Sequence, residues 1–208
     1  MHLTHCTVLN TRPAGQAKSL SIALEKEGSS VIDFPAIDIV ASATDEVRRL
    51  VTNNLSDYDL AVFVSPNAAW HGISLVREKG EWPANLKIAV VGTGTAAAIE
   101  ELGLFVNLQP ESGVGAGALL ARLHKETVCA RRIIIFRGRG GLPTLGDALS
   151  ARGALVTYAE VYSREMPHNA PVGLNERGKK GEIDIIVVTS AQALHHLFNL
   201  LGNDGNTW

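Results

Sequence analysis

The sequence has few of the residues that build disulfide scaffolds, metal centres or membrane spans. Its 208 residues include only two cysteines, Cys6 and Cys129, which favours a reducing compartment over a disulfide framework. The seven histidines are scattered apart from His195-His196, with no thiol or carboxylate cluster beside them, so we expect no metal. No apolar run approaches the roughly 20 residues that cross a bilayer, and the first six residues do not resemble a signal peptide. We therefore expect a cytoplasmic protein.

Charge of one sign is also scarce. The 19 basic and 21 acidic residues leave a net charge of −2, which indicates neither a nucleic-acid footprint nor a polybasic membrane patch. Apolar residues make up 46% of the chain and charged residues 19%, as in an ordinary globular protein. A chain of this length can form one large domain or two small ones around a sizeable core.

Short β-branched runs alternate with helical patterns along almost the whole chain. The apolar run 60–64 is typical of a strand buried on both faces, and Ser65-Pro66 after it is typical of a helix start. Repeated β-α-β units predict parallel sheets with helices on both faces, so the predicted fold class is α/β. The segment 173–181 is the nearest approach to a flexible stretch. Strands are predicted at 8–10, 31–34, 37–41, 60–64, 87–91, 105–108, 132–136, 155–162 and 183–188, and helices at 14–27, 45–53, from 65 onward, 95–102, 114–124, 144–151 and 191–201.

Two segments match at a fixed offset of 125 residues. Asp59–Ala68 aligns with Asp184–Ala193, and each segment contains a strand pattern followed by a serine and an amphipathic helix pattern. The match continues into the helices, where His71 falls opposite His196. A duplicated α/β unit is the natural interpretation.

The two copies differ in the residues that come after them. In the first copy the helix is followed by Trp82-Pro83 and then by about 40 residues, Lys87 to Glu126, that carry further strand and helix patterns. The sequence ends at Trp208, close to the counterpart of Trp82. We therefore expect a chain truncated in its second copy, with an incomplete sheet that exposes strand edges.

Several further segments occur in a characteristic order. They are Val8-Leu-Asn-Thr-Arg12-Pro13-Ala-Gly15, Phe34-Pro35-Ala-Ile37, Tyr58 to Ala68, Ala89 to Ala96, the Arg137-Gly138-Arg139-Gly140-Gly141 turn, Val161-Tyr162 and Thr189-Ser190. Together these segments resemble the uroporphyrinogen-III synthase family. The resemblance covers nearly all of the chain, and its specificity lies in the ordered set because no single motif is highly specific.

The resemblance implies two Rossmann-like parallel-sheet domains joined by two extended linker strands, with the active site in the cleft between them. Mapped onto this chain, domain one is discontinuous and comprises 1–36 and 165–208. Domain two comprises 39–160. The linkers are 34–38 and 160–164. The expected truncation falls in domain one.

The resemblance also implies the chemistry. The family's members are cofactor-free lyases of haem biosynthesis. They cyclise hydroxymethylbilane, a linear tetrapyrrole with many carboxylates, to uroporphyrinogen III, with loss of water and inversion of the last pyrrole ring. The lone pairs of the pyrrole nitrogens already favour departure of the terminal hydroxyl, so a modest hydrogen-bond donor suffices. Tyr162 is the predicted catalytic residue, because a phenol can donate this hydrogen bond. The rest of the task is holding the substrate in a reactive conformation.

Ligands of open parallel sheets bind at the carboxyl ends of the strands, where helix N-termini attract anions. Most of the predicted substrate-binding residues follow strands in this way. They are Arg12, Ser65, Thr95, Arg137, Gly138, Arg139, Thr189 and Ser190.

Each of these residues also has an ordinary structural interpretation. Ser65, Thr95 and Ser190 are good helix caps whatever the function. A tyrosine in a strand, such as Tyr162, commonly serves packing. An arginine such as Arg12 is usually a solvated surface charge. The two arginines of the glycine-rich turn are better candidates, because glycines let the backbone approach a ligand.

Two other functions remain open at this point. Gly92, Gly94 and Ala97 form a G-x-G-x-x-A pattern after a strand, which is typical of dinucleotide-binding oxidoreductases, although a lone match of this kind is weak. A non-catalytic two-domain module that binds an anionic ligand would have the same sequence features. We also expect a small-molecule substrate, no nucleic-acid or membrane partner, and a monomeric protein.

Overall fold

The computed structural model describes residues 3–168 and 172–202. Within these stretches a short 3-10 helix, Leu55–Asp57, lies between α2 and β4. The other elements, in chain order, are β1 (Thr7–Asn10), α1 (Ala14–Lys26), β2 (Ser30–Asp33), β3 (Asp38–Ala41), α2 (Asp45–Asn53), β4 (Leu60–Phe63), α3 (Pro66–Arg77), β5 (Lys87–Val90), α4 (Thr93–Glu101), α5 (Ala116–Arg122), α6 (Lys125–Val128), β6 (Arg132–Gly138), α7 (Thr144–Ala151), β7 (Leu155–Glu165), α8 (Leu174–Lys179), β8 (Ile185–Val187) and α9 (Ala191–Leu201).

The chain divides into two compact units. Unit 1 comprises the described residues of 1–39 and 164–208, and unit 2 comprises 40–163. The sheet of unit 1 has the order β2-β1-β8, and the five-stranded sheet has the order β3-β7-β6-β4-β5. β1 pairs in parallel with β2 and β8, while β4 pairs in parallel with β5 and β6, and β6 with β7. The predicted α/β class with parallel sheets is confirmed.

Helix starts follow the local sequence closely. Thr44 caps α2 by accepting a hydrogen bond from the Val47 N–H, and Pro66 stands in the first turn of α3. Helices α2, α7 and α9 have the bounds that the pattern predicts. Among the described residues no helix is long and apolar enough to cross a membrane.

Each unit has its own core. In unit 1, Leu9 and Ile37 pack with Leu197 and Leu201 of α9. In unit 2, one face of the sheet packs against α5 and α7 through a cluster that includes Ile135 and Leu149. Burial of each such aliphatic side chain stabilises the fold by about 1.5–3 kcal/mol.

Aromatic side chains fill the opposite face of the unit 2 sheet. Phe63 and Phe136 stack with ring centroids 4.6 Å apart. A Cβ atom added at Gly72 of α3 would lie 2.6 Å from Phe136 Cδ1, so the small residue allows the helix to approach the rings. This contact fixes α3 against the strands that carry the candidate site.

The predicted strand at 105–108 is wrong. Its residues form only an isolated bridge between Leu108 and Ala89. The Asn107 side-chain Oδ1 accepts the Ile88 N–H at 2.7 Å, so a side chain replaces one backbone acceptor of the ladder. Pro110 follows two residues after Leu108 and has no N–H to continue the pairing.

Two predictions about helices also need correction. Gly115 has φ +93°, so the helix predicted from 114 begins at Ala116, and Leu123 then separates α5 from α6 because its backbone is extended. The glycine-rich segment predicted as flexible contains α8 instead. Gly173 supplies a left-handed N-cap at φ +77°, and the buried Leu174 anchors this helix to the core.

Candidate active site

The centre of the candidate site lies where β4 ends and α3 begins. Ser65 caps the helix, with its Oγ accepting the Ala68 N–H at 3.1 Å. The same Oγ lies 3.1 Å from the Tyr162 hydroxyl, and either hydroxyl can be the donor. Two predicted site residues, 97 positions apart in the chain, are therefore joined by a hydrogen bond within unit 2.

A β-bulge decides where Tyr162 lies. Arg137 pairs with Glu160, but the next residue of β6, Gly138, pairs with Tyr162 and leaves Val161 as an extra residue in β7. Side chains alternate between the faces of a strand, so without the bulge Tyr162 would share the face of Glu160. With the bulge it shares the face of Gly138, where α3 packs.

Tyr162 is held in a narrow slot and is only 1% exposed. On one side, a Cβ atom added at Gly138 would lie 2.6 Å from the ring carbon Cζ, so a larger residue would displace the ring. On the other side, the His71 ring lies 5.8 Å away between centroids, at an interplanar angle of 24°. Burial lowers the pKa of His71 below its ordinary value, which favours the neutral imidazole.

Arg137 contacts its own neighbours through both terminal nitrogens, while its buried Nε has no hydrogen-bond partner among the described residues. Its guanidinium lies over the Tyr158 ring at 3.8 Å and forms an ion pair with Glu160 at 2.9 Å. It also donates to the Gly141 carbonyl at 3.0 Å, across the turn that follows β6. The side chain is 14% exposed. These contacts fix the conformation of the glycine-rich turn.

Arg139 differs from Arg137 in the same turn. Its backbone N–H donates to the Tyr162 carbonyl at 2.8 Å, which ties the turn to β7. Its side chain is exposed, and its recorded contact is a long hydrogen bond of 3.5 Å to the Ser42 carbonyl. The guanidinium of Arg139 can therefore exchange this contact for an anion at little cost.

Thr95 does not cap its helix, contrary to the sequence-based interpretation. Helix α4 begins at Thr93, with Gly92 as the N-cap, and the Thr95 N–H donates to the Gly92 carbonyl. The Thr95 side chain is 4% exposed. Among the described residues, the N–H groups of Thr93 and Gly94 have no hydrogen-bond partner. These two N–H groups are therefore the donors that this helix start leaves available for an anion.

Arg12, Thr189 and Ser190 lie at the carboxyl edge of the unit 1 sheet. Arg12 follows β1 and Thr189 follows β8, and these strands are neighbours. Ser190 caps α9 by accepting the Ala193 N–H at 3.1 Å, and both Thr189 and Ser190 are exposed. The Nε atom of Arg12 is buried without a hydrogen-bond partner in the described residues.

A partly buried polar network below Arg12 was not predicted. Asn10, which is 0% exposed, donates to Ser21 Oγ and to Asp33 Oδ1, each at 2.9 Å. Ser21 also donates to Asp33 at 2.6 Å, and the Asn10 Oδ1 accepts the Arg12 N–H at 3.3 Å. Because Asn10 simply ends an apolar run in the sequence, no local pattern marks it.

The sequence of this chain was compared with known protein families. The model of the family described as Uroporphyrinogen-III synthase HemD matches residues 18–208. The chain belongs to the uroporphyrinogen-III synthase family. Members of this family are lyase-type enzymes of tetrapyrrole biosynthesis.

Named relatives agree with this membership. The uroporphyrinogen-III synthase of Salmonella typhimurium is 30% identical over 197 residues, which are 93% of this chain and 79% of the relative. The synthase of Proteus mirabilis is 30% identical over 159 residues, 76% of this chain and 80% of the relative.

Solved structures of the family have a similar fold. A mutant uroporphyrinogen III synthase from Thermus thermophilus superimposes with a TM-score of 0.63 at 20% identity, covering 93% of this chain and 76% of that one. The Helicobacter pylori enzyme gives 0.58 at 12% identity, with coverage of 95% and 78%. At these identities the likeness concerns the fold.

Membership of the uroporphyrinogen-III synthase family leaves the dinucleotide alternative at Gly92, Gly94 and Ala97 without support. The strand that should follow that turn, at 105–108, is absent as a regular strand. Within residues 3–168 and 172–202, no group of three or more His, Cys, Asp or Glu side chains could hold a metal ion.

Proposed function

We propose that this chain cyclises hydroxymethylbilane to uroporphyrinogen III, with loss of water and inversion of the last pyrrole ring. The family match over residues 18–208 is the observation that carries the proposal. The hydrogen-bonded pair of Ser65 and Tyr162 supports it, because the reaction needs a hydrogen-bond donor at a departing hydroxyl.

Ser65 and Tyr162 act together in this proposal. A serine hydroxyl has one hydrogen to donate and two lone pairs to accept with. If Tyr162 donates to Ser65, the Ser65 oxygen accepts from both Tyr162 and the Ala68 N–H, and its own hydrogen is left to donate. Ser65 is more exposed than Tyr162, so its hydroxyl meets the substrate and Tyr162 supports it from behind.

The departing oxygen then takes one proton and leaves as water while the C–O bond breaks, and the last pyrrole releases one proton from its unsubstituted ring carbon when the macrocycle closes, so that water is the only net loss. The electron pair comes from the adjacent pyrrole, which becomes an electrophilic azafulvene. The last pyrrole attacks this carbon through its substituted position, and the resulting spiro intermediate fragments and recloses with the ring inverted. The protein supplies the hydrogen bond and the substrate conformation, and the pyrroles supply the electrons.

The carboxylates of the substrate need donors at both carboxyl edges. In unit 2 these are the exposed Arg139 and the N–H groups of Thr93 and Gly94. In unit 1 they are Arg12, Thr189 and Ser190. Arg137 and Gly138 take supporting roles, because the first fixes the turn that carries Arg139 and the second makes room for Tyr162.

The remaining expectations belong to the same proposal. The two units are domains with the predicted bounds, 1–36 with 165–208 and 39–160, and the crossings 34–38 and 160–164 are the linkers. The protein acts as a cytoplasmic monomer without a cofactor. The unit bounds at 39/40 and 163/164 support these crossings because they fall within or beside the predicted linkers.

The test is to supply freshly prepared hydroxymethylbilane and to resolve the uroporphyrinogen isomers after oxidation. Uncatalysed closure gives the symmetric type I isomer, so we expect the protein to produce an excess of type III. Type I alone, at the rate without protein, contradicts the proposal. If saturable substrate binding accompanied that result, the chain would instead be the non-catalytic anion-binding module.

The role of Tyr162 has a matched control in the same strand. Tyr158→Phe removes a hydroxyl that donates to the Pro143 carbonyl, outside the donor pair. We expect Tyr162→Phe to lower kcat by about tenfold, because Ser65 loses the hydrogen bond that leaves its own hydrogen free for the departing oxygen, and Tyr158→Phe to leave kcat nearly unchanged. Equal kcat values for the two variants would remove Tyr162 from the chemistry.

A further inference from the structure

The slot around Tyr162 has one wall that the proposed chemistry does not use. The Gly138 backbone of β6 forms the first wall, where no side chain can fit. The second wall is the imidazole of His71, which lies 5.8 Å from the phenol ring between centroids. An angle of 24° between the planes makes this an offset stack within the range of favourable aromatic pairs.

Helix α3 explains how His71 reaches this position. The helix begins at the Ser65 cap and buries one face, including Ala68, Ala69 and Gly72, against the sheet. His71 lies at the margin of that face and is partly buried. The same helix therefore carries the hydroxyl partner of Tyr162 at its start and the stacking partner two turns later.

The packing of α3 against the sheet does not explain why residue 71 is a histidine. Its repeat counterpart, His196, forms a hydrogen bond between Nδ1 and the Ala36 carbonyl at 2.9 Å, which accounts for that imidazole. No such hydrogen bond of His71 occurs among the described residues, and Tyr162 is its recorded ring partner. The stack on Tyr162 therefore links this partly buried histidine to the donor pair.

We propose that His71 is a positioning residue, whose imidazole presses the Tyr162 ring against Gly138 and so keeps the phenol hydroxyl on Ser65. The inference rests on the proposed function for its catalytic consequence, but the placement of the ring is a property of the folded chain alone. A flat ring at position 71 prevents the phenol from turning about its side-chain torsions. Without it, the hydroxyl spends less time within hydrogen-bond distance of Ser65.

The test uses His71→Phe, which keeps a flat ring, and His71→Leu, which keeps apolar volume but loses the ring. We expect His71→Leu to lower kcat for type III formation about tenfold with little change in KM, since small misplacements are costly in catalysis. His71→Phe should restore most of kcat. His196→Phe is the matched control at the repeat position, and its kcat should stay near that of the unchanged protein.

A second readout is independent of turnover. The chain has three tyrosines, so labelling their ring Cζ atoms with ¹³C gives three NMR signals, and Tyr162→Phe identifies the one from Tyr162. We expect that signal to shift or broaden in His71→Leu and to stay in place in His71→Phe. An unmoved signal in folded His71→Leu overturns the proposal, as does a His71→Phe variant that is as slow as His71→Leu.

A double-mutant cycle separates this inference from the proposed function. If His71 acts through the phenol, His71→Leu in a Tyr162→Phe background should cause no further loss of kcat. Multiplying losses would mean that His71 acts independently and would overturn the proposal. Full activity of Tyr162→Phe alone would refute the role of Tyr162, while the NMR signal still decides whether His71 positions the ring.

Discussion

Ser65 and Ser190 occupy equivalent positions in the two copies of the repeat and cap their helices in the same way. Each Oγ accepts a hydrogen bond from the N–H three residues later, at 3.1 Å. Beyond the caps the copies differ. Ser65 has a second partner in Tyr162, whereas Ser190 is exposed and has no second partner among the described residues.

The two carboxyl edges also achieve their rigidity by different means. Unit 1 uses a polar network below its first turn, in which the buried Asn10 and Ser21 bond to the exposed Asp33. Unit 2 uses a packed ring, with Tyr162 between Gly138 and His71. Equal local sequence thus gives equal caps, while the partner brought by a distant strand decides whether a capped helix start can take part in chemistry.

The largest effect should come from filling the slot in unit 2. In Gly138→Val the new side chain would overlap the Tyr162 ring, and overpacking of this kind costs about 1–3 kcal/mol. We expect a lower free energy of unfolding in urea and loss of type III formation. Gly117→Ala in α5 is the control, because an added Cβ there meets nothing within 4 Å. Equal stability of the two variants would mean that the slot is not tight.

The network of unit 1 should contribute stability of similar size without being a donor site. Asn10→Ala removes the hydrogen bonds that Asn10 donates to Ser21 and Asp33 and leaves the buried Ser21 hydroxyl without this donor, which costs about 1–3 kcal/mol. The exposed Asn85→Ala, which loses a single bond to the Ser56 carbonyl, is the control and should stay within about 0.5 kcal/mol. Urea unfolding of both variants checks the difference, and a neutral Asn10→Ala would argue against the network.

The caps give the most direct test of the comparison. Ser65→Ala and Ser190→Ala should each lower the free energy of unfolding by about 1 kcal/mol through the lost cap. Ser65→Ala should in addition lower kcat, because the hydroxyl that donates to the departing oxygen is gone, whereas Ser190→Ala should act mainly on KM. If both variants reduced kcat equally, the two edges would contribute equally to the reaction.

The smallest effect should be a pH dependence of stability from His71. Burial lowers the pKa of His71 in the folded chain below the ordinary value of about 6.5, so the unfolded chain binds this proton more readily. The neutral His71 therefore makes its full contribution to the free energy of unfolding above about pH 6.5. This contribution is lost as the pH falls from there through the pKa of the folded state. The Tm of the unchanged protein should fall more between pH 7.5 and 5.5 than that of His71→Phe. Parallel Tm curves would contradict this.

Much of the fold could be predicted because its signals are local. Helices α2, α7 and α9 have their predicted bounds, since capping residues and apolar spacing lie within a few positions of each other. The strand predicted at 105–108 was wrong because its pairing depends on the Asn107 side chain and on a distant strand. Helix α8 lies in the segment that was predicted to be nearest to a flexible stretch, and Gly173 forms its start in a left-handed conformation.

The candidate site likewise has features that could be predicted from the sequence and features that could not. The sequence by itself determined the α/β class, the repeat, the serine caps and the family, because these follow from periodicity, residue type and order along the chain. The tertiary structure alone decided that Arg137 is engaged by Tyr158 and Glu160 while Arg139 is available. It also decided, through one extra residue in β7, that Tyr162 faces Ser65 and His71. A bulge moves the side chain of every residue beyond it to the other face of the sheet, and no local pattern in β7 indicates a bulge.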